Sequence, residues 1–254
     1  MTTLIAKQVD VTAGDRLLVK NLDLALNAGS FVAVLGCNGA GKTSTLHVLA
    51  GLAAPAAGSV QMDGVDISRR PRREVARELG VLMQDYEDPF PATVLETALI
   101  GRHPHLDFWQ WEGSSDHRLA REALSRVGLD GMQSRDLDTL SGGERRRLAM
   151  ATLLVQDPAM MLLDEPVSHL DPNHQLAMMK LLRQRADQDA CVVASLHDVN
   201  AAARFCDQCL LLFGDGRWMS GATASVLTED ALSELYGLRM RALDFESRQV
   251  FVDA

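Results

Sequence analysis

The sequence predicts an α/β fold built on a parallel β-sheet, and two observations carry that prediction. Several short apolar runs lack the alternation of a half-exposed strand, which is typical of strands buried on both faces. Helical patterns over Thr43–Leu49 and Asn173–Arg185 lie between some of these runs, giving the βα alternation of a parallel sheet. The predicted buried strands are Phe31–Leu35, Leu79–Met83, Met160–Leu163, Cys191–Leu196 and Cys209–Phe213.

The chain departs from this alternation near its start and in its middle. Leu4–Val11 and Leu17–Leu26 alternate in part around a turn at 13–15, which predicts an N-terminal antiparallel hairpin. Between Gln84 and Gln156 the strand signal disappears, so we expect a helical insertion. The candidate helices of this insertion are Thr93–Ile100, Ser115–Val127 and Gly142–Val155.

The C-terminal part predicts one more helix and one weak strand. Thr228 caps the helix, Gly237 closes it, and the strand follows at Arg248–Val252. We therefore expect one compound domain. Its expected divisions are a β-subdomain with the α/β core at about 1–85 and 157–221, a helical subdomain at about 86–156, and a C-terminal extension at 222–254.

Composition excludes some classes of partner. The 254 residues carry a formal net charge of −9 and a pI of about 5.2, whereas proteins that bind nucleic acid usually present a basic face. No apolar run approaches the roughly 18 residues that span a bilayer, so a membrane-associated role would mean docking on the membrane. The four cysteines form no evident disulfide framework, and Cys206 and Cys209 are expected to be small buried residues beside a strand.

A glycine-rich segment follows the first buried strand and precedes a helix. It fits G-x-x-x-x-G-K-[ST], in which backbone N–H groups surround a phosphate and the helix dipole favours negative charge. Lys42 is expected to reach the outer phosphates and the Thr43 hydroxyl to bind Mg²⁺. The predicted phosphate-binding residues are Gly36, Cys37, Asn38, Gly39, Ala40, Gly41, Lys42, Thr43 and Ser44.

Polar residues follow three other predicted strands, at the edge where an open α/β sheet binds its ligand. Asp164 suits an Mg²⁺ partner, because Mg²⁺ takes oxygen ligands and keeps several waters. Glu165, one residue further on, suits polarisation of an attacking water. Gln84 could touch the metal or that water, and His197 could hydrogen-bond the γ-phosphate. Each residue alone would be ordinary at a strand end, so their joint placement is the argument for nucleotide hydrolysis.

A second candidate phosphate site lies at the start of a later helix. Ser141 and Glu144 form a capping-box pattern, which is a sufficient structural reason for those two residues. Gly142 and Gly143 need another reason, because glycine in a helix costs about 1 kcal/mol relative to alanine. Close approach of a phosphate would supply it. Since this chain's own phosphate loop already holds a nucleotide, the second helix start predicts a nucleotide held by another copy.

Together, the phosphate loop, Gln84, 140–144, 160–165, 168–171 and His197 resemble, in this order, the nucleotide-binding subunits of ABC transporters. The resemblance covers nearly the whole chain. It implies a RecA-like P-loop NTPase core with an N-terminal antiparallel β-subdomain and an inserted helical subdomain. It also implies a head-to-tail homodimer that holds two ATP molecules, with Asp171 in the segment that crosses the interface.

One departure from the family pattern concerns the base. Thr12-Ala-Gly14 offers no aromatic ring where family members often carry one near Ala13 to stack on adenine, so base recognition stays open. Val167 and Thr152 also replace commoner residues, Thr and Arg, at positions expected to lie outside the chemistry.

Segments 93–105 and 164–171 are similar to those of the importer branch for ferric siderophores, haem and vitamin B12. That similarity implies a separate membrane permease docking near the helical subdomain, a periplasmic or extracellular substrate-binding protein, and a peripheral location on the cytoplasmic side of the inner membrane. Candidate docking residues are Pro89, Phe90 and Pro91; for Trp109 and Trp111, packing within the chain is an equal alternative.

The competing function is a soluble ABC-type ATPase that acts on nucleic acid, ribosomes or cluster assembly. Such proteins tend to have tandem cassettes, coiled-coil insertions or basic patches, and the sequence has none of these features. Segment 69–73 is expected to be a solvated loop, with a place near the membrane surface as the alternative. His103 and His105 are expected to contact solvent or to make local hydrogen bonds, since no third metal ligand is evident.

Overall fold

The structure is a computed structural model that describes residues 2–84, 91–107, 109–245 and 248–254. The strands are β1 (Leu4–Ala13), β2 (Arg16–Leu26), β3 (Phe31–Leu35), β4 (Ala57–Met62), β5 (Val65–Asp66), β6 (Leu79–Leu82), β7 (Met160–Leu163), β8 (Cys191–Ser195), β9 (Gln208–Leu212), β10 (Trp218–Ala222), β11 (Met240–Phe245) and β12 (Arg248–Asp253). The α-helices are α1 (Lys42–Leu49), α2 (Arg72–Glu78), α3 (Val94–Leu99), α4 (Ser114–Arg126), α5 (Gly142–Gln156), α6 (Pro172–Asp187), α7 (Val199–Phe205), α8 (Thr223–Val226) and α9 (Glu229–Tyr236).

The central sheet has the strand order β10-β9-β3-β8-β7-β6. Its β9, β3, β8, β7 and β6 are parallel, and β10 pairs with β9 in the antiparallel sense. All the predicted buried strands are present, with ends that agree to within one residue. Because side chains from both faces of these strands are buried, continuous apolar runs were sufficient to find them.

A second sheet, ordered β2-β1-β4-β5, is antiparallel throughout. The predicted hairpin forms its first pair, and Gly14 takes the positive φ of 57° that the turn requires. Apolar side chains from this sheet share a core with one face of the central sheet and with α1; Leu22, Val34 and Leu46 are among its fully buried members. The hairpin is thereby fixed beside the loop that follows β3.

Between β6 and β7, helices α3, α4 and α5 pack on one another and on the other face of the core. The segment 69–73 is largely exposed, as expected, but it is a loop only in part, because α2 begins at Arg72. Pro71 supplies a pre-set φ at the helix start, and the Arg70 guanidinium lies 2.6 Å from the Glu78 carboxylate at the far end of α2. That ion pair is partly buried.

The C-terminal part contains the predicted helix and strand. The Thr228 hydroxyl accepts the Ala231 N–H at the start of α9, and Gly237 ends the helix with a φ of 66°. The partner strand β11 was not predicted; it pairs with β12 in an antiparallel hairpin. None of the helices in the described residues is long and apolar enough to cross a bilayer.

Cys206 and Cys209 are buried and unpaired with each other, as expected of small residues beside β9. Burial raises the pKa of Cys209 to about 11, so its thiol is protonated at neutral pH. His105 Nε2 lies 2.9 Å from the carbonyl oxygen of Gln156, a contact within the chain but not between neighbours in sequence. The described residues contain no cluster of His, Cys, Asp and Glu that could hold a metal ion by itself.

Candidate functional site

The segment after β3 turns tightly into α1, and its glycines are required by that path. Gly39 and Gly41 have φ of 77° and 102°, which side-chain-bearing residues rarely adopt. A Cβ on Gly36 would lie 2.6 Å from the Leu212 carbonyl oxygen of β9. The backbone of this segment therefore lies directly against the sheet and enters α1 at Lys42.

Lys42 is the cation at the centre of the site. It is buried, and its Nζ donates to the carbonyls of Gly36 at 2.8 Å and Cys37 at 3.3 Å. Burial lowers the pKa of Lys42, and the nearby carboxylates of Glu165 and Asp164 oppose that effect. The ammonium is thus held against the loop that it is predicted to serve.

Asp164 lies at the end of β7 and is only 2% exposed. It accepts a hydrogen bond from the Thr43 hydroxyl at 2.6 Å and another from the Ser195 hydroxyl at 2.6 Å. The first of these bonds brings the start of α1 and the end of β7 together. Two oxygen-bearing side chains in contact are the kind of ligands that a small hard cation takes, so the pair fits Mg²⁺.

Glu165 follows Asp164 and has a positive φ of 49°, which is an uncommon backbone conformation. Its side chain therefore does not continue the alternation of the side chains in β7. One carboxylate oxygen lies 2.7 Å from His197 Nε2, and the other accepts a bond from the Gln84 amide at 3.4 Å. The structure therefore brings the predicted strand-end residues of β6, β7 and β8 into one hydrogen-bonded group.

Two residues of this group were missed from the sequence. Ser195 is fully buried in β8; besides donating to Asp164, its hydroxyl accepts the Glu165 N–H at 2.8 Å. Arg146 of α5 donates to the carbonyls of Met83 and Asp164, and to that of Glu165 at 2.7 Å. Arg146 thereby connects α5 to the ends of β6 and β7. In the sequence, it is one of three consecutive arginines with nothing to distinguish it.

The start of α5 has the predicted capping box. The Ser141 hydroxyl accepts the Glu144 N–H at 3.3 Å, and the Glu144 carboxylate accepts the Ser141 N–H at 2.7 Å. A Cβ added to Gly142 would meet nothing within 4 Å. A Cβ added to Gly143 would lie 3.3 Å from its nearest atom, the His169 carbonyl oxygen. Packing within this chain therefore does not account for glycine at position 142. Asp171 caps α6 by accepting the His174 N–H at 3.0 Å.

Most of the predicted phosphate-loop and strand-end residues line an open cleft of about 760 Å³, whereas Gly36, Cys37, Ala40 and Asp164 do not. Ser141–Glu144 and Asp171 are not among the described residues that line it. A larger cleft, of about 950 Å³, lies against α7 and β12 and includes none of the predicted site residues. The residues lining the site cleft are Ala13, Arg16, Leu18, Asn38, Gly39, Gly41, Lys42, Thr43, Ser44, Gln84, Glu165, Ser168, His169 and His197.

A family model described as ABC transporter matches residues 19–168. The chain is 35% identical over 240 residues to the cobalamin import ATP-binding protein BtuD of Halobacterium salinarum; this covers 94% of the chain but only 60% of that relative. It is 34% identical to the ferric enterobactin transport ATP-binding protein FepC of Escherichia coli, covering 94% and 88% of the two chains. It is 36% identical to the hemin import ATP-binding protein HmuV of Rhizobium meliloti, covering 93% and 92%.

Two solved structures are similar over most of the chain. A metal-chelate type ABC transporter in an inward-facing conformation has a TM-score of 0.85 at 28% identity, covering 100% of this chain and 98% of that one. A dimeric ATP-binding cassette in a post-hydrolysis state, bound to ADP and Pi, has a TM-score of 0.75 at 26% identity, covering 87% and 98%.

Proposed function

We propose that this chain, which belongs to the ABC transporter family, is the ATP-hydrolysing subunit of an importer for an iron chelate or cobalamin. One observation carries the hydrolytic part of the proposal. The Glu165 carboxylate lies between His197 and Gln84, in the cleft that the phosphate loop also lines. A carboxylate in that position can polarise a water for attack on the terminal phosphate.

ATP binding rests on the phosphate loop and the start of α1. Lys42 supplies a buried positive charge, and the N-terminus of α1 adds its dipole. Mg²⁺ would be held by Thr43 and Asp164, with Gln84 as a third candidate. When bound, the ion neutralises charge on the phosphate oxygens. The Thr43–Asp164 hydrogen bond supports that assignment, because it holds both oxygens at the loop.

Hydrolysis is assigned to the chain's own side chains. Glu165 orients and polarises the water, and His197 holds the carboxylate through its 2.7 Å contact. Gln84 is placed to respond to the terminal phosphate, because its amide already reaches the second oxygen of Glu165. Asp164 stays out of this proton chemistry, since Thr43 and Ser195 occupy its oxygens.

We further propose that two copies clamp two ATP molecules between them. Ser141–Glu144 lie outside the cleft of their own chain, and Gly142 has open space where a side chain would be. The N-terminus of the 15-residue helix α5 is therefore available to phosphates held by a second copy. Asp171 would lie in the segment that couples the two sites.

The dimer can be tested in a Glu165→Gln background, in which bound ATP is preserved. Light scattering after size-exclusion chromatography is expected to show an ATP-dependent dimer. Adding Gly142→Asp should leave ATP binding by the monomer unchanged but abolish the dimer, because a carboxylate would face the partner's phosphates. Ser115→Asp, in the first turn of α4, adds the same charge as a control. A Gly142→Asp protein that still dimerises with ATP would contradict the clamp.

The permease is proposed to dock near the helical subdomain, about 86–156. Trp109 and Trp111 are 88% and 87% exposed, so neither is a core residue of this chain. Exposed tryptophan is typical of interfaces, which favours the docking role over the packing role. Pro91 is exposed within the same subdomain, whereas Pro89 and Phe90 lie outside the described residues. This docking would place the chain at the cytoplasmic side of the inner membrane, serving an external substrate-binding protein.

Transport is tested in a strain that lacks the gene. Uptake of a ferric siderophore, haem and cobalamin is measured separately, and one of them is expected to fail and to recover with the wild-type chain but not with Glu165→Gln. A tagged chain should retain a multispanning permease during purification. Recovery of ribosomes or DNA in its place, with normal uptake of all three cargoes, would favour a soluble ABC-type ATPase instead.

A further inference from the structure

We propose that the guanidinium of Arg16 is the platform on which the nucleotide base stacks, in place of an aromatic ring. This inference rests on the proposed ATP-binding function and adds a residue to it. The described residues that line the cleft include no phenylalanine, tyrosine or tryptophan on which a base could stack. A base left without a flat partner would contribute little to affinity.

Sheet topology places the base end of the nucleotide. The phosphate loop follows β3, and β8, β7 and β6 lie in that order to one side of it. Their ends carry His197, Glu165 and Gln84, so the terminal phosphate and the attacking water belong to that side. The rest of the nucleotide must extend to the other side of β3, where β9 lies and the β1–β2 hairpin borders the cleft.

Arg16 stands on that side and is fixed there. Its Nη2 donates to the carbonyl of Gly214, two residues after the end of β9, at 2.8 Å. Gly214 in turn lies against the phosphate loop, because a Cβ at this position would be 3.1 Å from the Ala40 Cα. The guanidinium is thus exposed at the cleft yet tied by a hydrogen bond to the loop that holds the phosphates.

A guanidinium in this position can replace an aromatic ring. It is planar and delocalised, and it stacks on π-systems more readily than the ammonium of lysine does. Ala13 and Leu18 line the same cleft, and neither presents a large exposed side chain, since Ala13 is small and Leu18 is buried. Stacking does not depend on base identity, so it should contribute similarly to the affinities for ATP and GTP.

The test separates the base from the phosphates by comparing ATP with inorganic tripolyphosphate. Arg16→Ala is expected to weaken ATP binding about 5- to 30-fold and to leave tripolyphosphate binding unchanged. Arg16→Lys keeps the charge but loses the planar group, so it should lose nearly as much ATP affinity as Arg16→Ala. Thermal unfolding without ligand monitors any loss of structure from the missing Gly214 contact.

A second variant makes the result independent of folding defects. Ala13→Tyr, added to Arg16→Ala, is expected to recover ATP affinity, because it returns a flat ring to the same wall. Equal losses for ATP and tripolyphosphate, with full function in Arg16→Lys, would overturn stacking and indicate a phosphate contact. Unchanged ATP binding in Arg16→Ala would also overturn it while leaving the proposed function intact. Failure of the wild-type chain to bind ATP would instead contradict the proposed function.

Discussion

The imidazole of His197 lies 2.7 Å from the carboxylate of Glu165, although the two residues end different strands of the sheet. His197 is half exposed, whereas the Glu165 side chain is largely buried. The contact therefore holds the carboxylate from the open side of the cleft, and Gln84 holds it from β6. This arrangement separates two properties that mutation can test: the basicity of Glu165 and its orientation.

Replacing Glu165 by Gln is expected to lower ATP turnover about 10²- to 10⁴-fold, because the amide keeps the shape of the side chain but cannot act as a base. ATP affinity should stay within a few-fold of wild type. Phosphate release and equilibrium binding measure the two effects. Glu122→Gln, an exposed change on α4, serves as the control. Equal turnover in Glu165→Gln and wild type would refute the assigned role.

Ser195→Ala is expected to reduce both stability and turnover. Its buried hydroxyl donates to Asp164 and accepts from the Glu165 backbone, so its loss leaves two buried groups without that partner. A loss of about 1–3 kcal/mol in the free energy of unfolding should follow. Urea denaturation measures it, and Ser115→Ala on the surface of α4 should cost far less. If Ser195→Ala changed neither the free energy of unfolding nor ATP turnover, the hydrogen bonds of the Ser195 hydroxyl to Asp164 and Glu165 would be dispensable.

The sequence was sufficient for the parts of this fold whose signal is local. The buried strands are continuously apolar, and the predicted phosphate loop is identified by the spacing of its glycines, lysine and threonine. Strand β4 was missed because Ala57–Met62 includes Gly58 and Ser59 and has few apolar residues; it is a strand because it pairs with β1. Ser195 and Arg146 were missed for a related reason. Their partners lie at least 18 residues away, so no local pattern identifies their contacts.

The capping box of α5 predicts a specific pH dependence. Two hydrogen bonds lower the pKa of Glu144: the larger effect comes from the backbone of Ser141, and the next largest comes from the Ser141 side chain. A carboxyl group whose pKa is lowered by folding stabilises the protein above its unfolded pKa, and loses that contribution as pH falls through the folded pKa. Wild type should therefore be more stable than Glu144→Gln at neutral pH, by less than about 1 kcal/mol because the group is partly exposed.

That difference should shrink as the solution is acidified from neutral pH to below about 4.3, the ordinary pKa of a glutamate side chain. Urea midpoints of the two proteins, measured across this range, provide the test. Glu122→Gln on α4 is the control, since it removes an exposed carboxylate outside any capping box. A Glu144→Gln difference that stays constant or grows on acidification would contradict the assigned cause.

Arg146→Met is expected to destabilise the chain by more than about 2 kcal/mol and to lower turnover. Arg146 is buried, and it donates to the carbonyls of Met83, Asp164 and Glu165. Methionine fills similar volume but offers no donor, so buried carbonyls lose a charged partner. Because the same side chain connects α5 to the backbone of Glu165, catalysis should suffer even under conditions in which the variant is fully folded.

Two comparisons make the Arg146 prediction specific. Arg121→Met, on the exposed face of α4, should change neither stability nor turnover appreciably. Arg146→Lys keeps the charge but loses the planar fork, so it should be intermediate in both. Unfolding is measured by urea denaturation, and turnover is measured well below the unfolding midpoint. If folded Arg146→Met hydrolysed ATP at the wild-type rate, the connection from α5 to Glu165 would be structural alone.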